Sequence, residues 1–274
     1  MSKRQKFIIA TIILALGIVA IRYPFLQWRY RVLFYALAAG GLSLWGLMDP
    51  DLKGVKRLMI PALPALFAIS AALTFPLLPA NFDSFLIWEV SHDTGLIFSL
   101  GLRLIFLAIF AVAYYAAMLC GNIYNVASLR TIQLLRAAHT VGFIVALLSA
   151  AFLFQVVASF HLSSFYNFIL VFIISLPIFF VNLWAINLEE TIGKRVIIFS
   201  AVFALIVAQI AWVTSFWPLT VVVWSLFLTA AIYVLAGLAQ YYLSERLFLA
   251  TIREFIVVTV VILILIIFTA AWKG

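Results

Sequence analysis

The stretch "FIVVTVVILILIIFTAAW", residues 255–272, runs for eighteen residues without a charged side chain. Crossing the ~30 Å hydrocarbon core of a bilayer takes roughly 20 mostly apolar residues in a helix, and this run with its flanks supplies them. Its β-branched residues would also suit a strand. A barrel strand, however, crosses in about 10 residues and alternates apolar with polar side chains, whereas this run is longer and does not alternate. A helix closes its own backbone hydrogen bonds, which lipid cannot do for it. The stretch therefore reads as a transmembrane helix.

Working outward, the same reading gives nine spans, at about 7–21, 32–48, 58–79, 96–120, 137–160, 166–187, 195–214, 217–243 and 248–272. The first is the weakest, being short unless it extends into "RYPFLQWRYR", whose aromatics and arginines suit a headgroup interface. The chain is 68% hydrophobic and 9% charged, where a soluble domain is about half apolar and about a quarter charged. Composition thus excludes a water-soluble fold. Residues 1–274 read as one all-α domain, a polytopic helical bundle with short connections and no soluble domain.

A formal charge of +8 raises the question of nucleic acid. The basic residues sit singly or in pairs at the ends of apolar runs, where they set topology and meet anionic headgroups, so no nucleic-acid partner is expected. With the amino terminus inside, Lys3, Arg4, Lys6, Lys53, Lys56, Arg57, Arg130, Arg136, Lys194, Arg195, Arg246 and Arg253 share the inner side. Arg22, Arg29, Arg31 and Lys273 fall outside, the first three of them in one loop that violates the bias. This predicts a cytoplasmic amino terminus in a bacterial-type inner or plasma membrane, with the lipid bilayer as the surrounding partner. The opening segment has the charged head and apolar body of a signal peptide, but bulky Arg22-Tyr23-Pro24 follows in place of a small-residue cleavage site, so it is kept as a span. The single cysteine, Cys120, excludes an intrachain disulfide and a cysteine-rich metal site.

Few residues offer chemistry. The outer segment 80–95 lacks lysine and arginine and carries Asp83, Glu89, His92 and Asp93. On a short interfacial helix over 82–93, Glu89, His92 and Asp93 would share a face, a spacing able to hold a metal ion or pass a proton, with His161 as a second imidazole from the next outer loop. The plainer reading is a solvated loop whose Asp93 or Thr94 caps the fourth span, and no metal is assigned. Arg103 lies about 10 Å below the outer end of its helix at Leu96, inside an apolar run, where an ionisable side chain needs a partner or water. With Gln155, Asn182 and Gln209, it forms the set of candidate ligand-binding residues; for the three amides, interhelical hydrogen bonds are the preferred explanation. "GNIYNVASLRTIQLLRAAHTVGF", residues 121–143, alternates leucines with Arg130, Gln133 and Arg136 and reads as a surface helix on the inner face. Pro177 predicts a kink in the sixth span.

No phosphate-binding loop, His-Glu-x-x-His, Gly-x-Ser-x-Gly or intramembrane pair of aspartates is present, and no cofactor is implied. No internal repeat relates two halves. The reading that follows is a non-enzymatic scaffold or accessory subunit of a membrane complex, with a membrane-protein partner. A transporter or flippase of a small or amphiphilic solute is the alternative, lined by Arg103, Gln155, Asn182 and Gln209. A third reading is an enzyme acting on an outer-leaflet lipid through Glu89, His92, Asp93 and His161.

Overall fold

The computed structural model describes residues 2–21, 27–49, 54–78, 92–127, 133–245 and 247–270, and for 92–96 the backbone alone. The helices are α1 (Lys3–Ile21), α2 (Trp28–Leu47), α3 (Lys56–Thr74), α4 (His92–Ala127), α5 (Leu135–Ser159), α6 (Ser164–Asn187), α7 (Lys194–Thr214), α8 (Val221–Leu243) and α9 (Leu249–Thr269). Among the described residues there is no strand, and eight of these helices are long and apolar enough to cross a membrane. The chain is a multi-pass helical membrane bundle.

The ninth helix is α2, whose hydropathy is lowered by Arg29, Arg31, Gly40, Gly41 and Ser43. Its path is nevertheless fixed at both ends. Lys3, at the start of α1, pairs with Asp49 just past the end of α2, and Arg31, near the start of α2, donates to the backbone oxygen of Ile21, the last residue of α1. The two helices are therefore an antiparallel pair of matched length. The first span, weakest in the sequence, is a full helix of 19 residues.

The starts of α1 and α3 meet the ends of α2, α4 and α6 at one end of the bundle, called here the amino-terminal face. Lys3 also donates to Asn122 near the end of α4 (3.3 Å), and Asn125 donates to Asp49 (3.1 Å). Lys56, buried at the start of α3, reaches Glu190 after α6 at 3.5 Å. Glu190 thus finds its partner on α3. The turn that presents it ends α6 with Leu188 in the left-handed conformation, φ 52°, and is held by the Trp184 indole N–H donating to the Glu189 carbonyl at 3.1 Å.

Helices α3 and α5 form the centre, each packed on several neighbours, while α9 rests on α8 alone among the major contacts. Phe67 of α3 stacks on Phe110 of α4 (5.7 Å), and Phe152 of α5 meets both Phe67 (6.2 Å) and Phe106 (5.4 Å), so one aromatic cluster joins three helices. The closest pair is α6 with α7. There Ser200, Ala204, Ala208 and Ala211 are buried along α7, and small side chains at three- and four-residue spacing let helix axes approach where lipid gives no hydrophobic drive to pair.

Two expectations change. Helix α4 has 36 residues, about 54 Å of helix, so it outruns the hydrocarbon core. Arg103 is ~28 Å along it from Asn122, which sits at the amino-terminal face, so the arginine lies toward the opposite end of the bundle. Of residues 121–143, 121–127 finish α4 and 135–143 open α5, so these parts belong to two long helices and not to one surface helix; residues 128–132, with Arg130, lie outside the described residues. Within α6 the helix runs through Pro177 without a break in its assignment.

Gly237 of α8 makes room for the ring of Phe255, one of the few buried residues of α9; a Cβ at 237 would fall 2.6 Å from the ring. Gly237→Ala is expected to cost about 1–3 kcal/mol by overpacking. The check is thermal unfolding in detergent, with the penalty shrinking when Phe255 is also changed to Leu.

Candidate functional site

Among the described residues a large cavity opens at the amino-terminal face between the start of α5 and the end of α8. It holds about 770 Å³ and is lined by Gln133, Leu135, Arg136, His139, Gln240, Tyr241 and Ser244. A smaller chamber of about 120 Å³ continues inward past His139, Gln240 and Ser244 to Tyr124, Asn182, Ala185 and Ile186. The outer volume is within the range of small-ligand sites, which are concave and carry a few convergent polar groups.

The floor is fixed by a relay across three helices. Tyr124 of α4 is buried and donates its hydroxyl to the Ala138 carbonyl of α5 at 3.0 Å. Gly142, one turn further along α5, leaves the space for that hydroxyl, since a Cβ there would come within 2.6 Å of it. The neighbouring residue His139 packs its ring against Tyr124, with centroids 5.5 Å apart. Its Nε2 lies 2.8 Å from the Ala185 carbonyl of α6. A carbonyl only accepts, so Nε2 carries a proton, and Nδ1 is the ring nitrogen left for other work.

The walls are amides and hydroxyls. Asn182 donates to the Ile178 carbonyl at 3.2 Å, which leaves its side-chain carbonyl for the chamber. Ser244 donates to the Gln240 carbonyl at 2.6 Å and ends α8 on the cavity rim. Arg136, in the first turn of α5, is exposed and puts a guanidinium at the mouth. Among the described residues lining either space there is no carboxylate, and the arrangement can accept an anionic or hydrogen-bonding group.

The residues singled out in the sequence are distributed differently. Asn182 lines the inner chamber, and the five principal cavities take in none of Arg103, Gln155 and Gln209. Gln155 is half-buried on α5, Gln209 is exposed on α7, and Arg103 is half-buried on α4. His161 is exposed in the tight turn after α5, at φ 47°, and borders a separate far-face cavity of about 210 Å³ with Asn167, Ser215 and Trp224. Glu89 and the segment 79–91 lie outside the described residues, and of His92 and Asp93 the backbone alone is described, at the start of α4. Among the described residues no cluster of histidine, cysteine and carboxylates has the makings of a metal site.

Missed by the sequence reading were Tyr124, His139, Gln240 and Ser244. A signal existed: Gln133, Arg136 and His139 recur every third residue into α5, and Gln240 and Ser244 are one turn apart at the end of α8.

A family model described as "Protein of unknown function (DUF5656)" matches residues 7–269. No curated protein and no solved structure matches the chain.

If the two cavities are continuous and open at the amino-terminal face, cysteines placed there are reached from that side. In a Cys120→Ala background, Ser244→Cys is expected to react rapidly with a membrane-impermeant thiol reagent supplied at that face, and Asn182→Cys more slowly. Labelling rates in sealed vesicles of both orientations check this.

Proposed function

We propose that this chain, which belongs to the DUF5656 family, is a non-enzymatic membrane subunit that uses the cavity at its amino-terminal face to dock an acidic segment of a partner protein. Its setting is a bacterial-type inner or plasma membrane with that face toward the cytoplasm, as the distribution of lysine and arginine supports. One observation carries the reading. The cavity offers a cation at its mouth and neutral hydrogen-bonding groups within, and its imidazole is tied by one nitrogen to a backbone carbonyl. Such a set binds a carboxylate well, and among the described lining residues no carboxylate stands beside the imidazole to act with it as an acid–base pair.

A guanidinium–carboxylate contact is worth roughly 1.5–3 kcal/mol when hydrogen-bonded, so Arg136→Ala should weaken docking by about tenfold or more, and Arg136→Lys by less. The test is a photo-crosslinking residue at Gln133 in native membranes. A stoichiometric protein adduct that fades in Arg136→Ala is the expected result. The inward chamber that reaches Asn182 favours a second reading, a transporter of a small or amphiphilic solute. No protein adduct, together with solute-dependent protection of Asn182→Cys from labelling, would replace the docking reading with that one.

A further inference from the structure

The far ends of α1 and α2 enclose a groove of about 220 Å³, walled by Leu14, Gly17, Phe34, Tyr35 and Ala38 and headed by Arg31. Phe34 and Ala38 are exposed along it, so it opens sideways where lipid lies. Its floor is firm: Tyr35 is buried and its hydroxyl donates to the Leu14 carbonyl at 3.3 Å, and Gly17 lets the Tyr35 ring approach to where a Cβ would meet it at 3.0 Å. From Ile13 to Ile21 the groove runs ~12 Å along α1. That suits part of one acyl chain and is short for a helix.

Among the described residues the charge at its head is all of one sign. Arg31 donates to the Ile21 carbonyl and its guanidinium lies 5.6 Å from the Trp28 ring, while exposed Arg29 lies 5.0 Å from the Tyr30 ring. These contacts hold two guanidinium groups at the helix ends, the level of headgroups, beside tryptophan and tyrosine of the kind that settle there. The sequence has no Asp or Glu from Met1 to Met48. This is the loop that breaks the topological bias of the lysines and arginines, and an anion from the membrane would account for it.

We propose that the groove seats one anionic phospholipid of the far leaflet, with an acyl chain along Gly17 and Ala38 and the phosphate against Arg31 and Arg29. Guanidinium binds phosphate through paired N–H donors, and the apolar groove sets where that phosphate stands. The site is independent of the cavity at the amino-terminal face, at the other end of the bundle.

The test uses the full chain in nanodiscs of mixed phosphatidylcholine and phosphatidylglycerol, followed by native mass spectrometry of the lipids that stay bound. One phosphatidylglycerol retained in preference to phosphatidylcholine is expected. Arg29→Ala should lower that preference about fivefold, the effect of one basic residue at the surface. Ala38→Leu, which fills the groove and leaves both arginines, should remove the retained lipid, and Arg136→Ala should leave it in place. Arg31→Lys keeps the charge where Arg31→Ala would also free the Ile21 carbonyl, and it should retain the lipid more weakly than the parent. Equal retention of the two lipids overturns the proposal, as does retention untouched by Ala38→Leu, retention lost in Arg136→Ala, or a second copy of the chain in place of the lipid.

Discussion

A peptide N–H or C=O left unpaired in hydrocarbon costs several kcal/mol, and every other feature of this bundle follows from meeting that demand inside each helix. The hydroxyl side chains obey the same rule. Thr11, Ser149, Thr214, Thr229, Thr259 and Thr269 each donate to the carbonyl four residues back, at 2.8 Å in every case. Their polarity is spent locally, and the helices meet through apolar and small side chains. A polar link between helices within the membrane, such as Ser43 with Tyr114 at 3.0 Å, is the exception. Specific polar contacts are therefore pushed to the ends of the bundle.

That constraint explains how much of the fold could be read from the chain. Long apolar runs such as 255–272 have one economical solution, and the helix positions follow the runs closely. Errors arose where a helix end left the lipid. At the start of α4 the helix begins at His92, four residues before the apolar run at Leu96, so the run alone does not mark where the helix ends. At 121–143 an amphipathic pattern is the same for one helix lying on a surface and for two helix ends facing each other. Only the neighbours distinguish these, and hydropathy carries no information about neighbours. Asp49 shows the same limit: nothing within "LMDPDLKG" says that Lys3, Asn122 and Asn125 will converge on it.

The candidate site was less legible for a related reason. Isolated polar residues in apolar spans, such as Gln155 and Gln209, draw attention because they are costly to bury, yet a half-buried or exposed amide can meet headgroups, water or another chain. The cavity instead draws Tyr124, His139, Asn182 and Gln240 from four helices that are far apart in sequence. Each is a modest residue in its own span. Their significance lies in sharing a level, which is set by helix lengths and by contacts such as Tyr124 to Ala138 and His139 to Ala185.

The order of polarity along the cavity also limits what can enter it. Charge is offered at the mouth by Arg136, amides and hydroxyls follow at Gln240 and Ser244, and the chamber ends at Asn182 beside Ala185 and Ile186. Moving an ion from the mouth to the chamber would give up water and the guanidinium together for a neutral carbonyl acceptor, a loss that no group in the chamber offsets. An anionic guest accordingly leaves its charge at the rim and inserts only neutral atoms. The docking we propose rests on this gradient, with a carboxylate held at the rim and no ion drawn through the bundle.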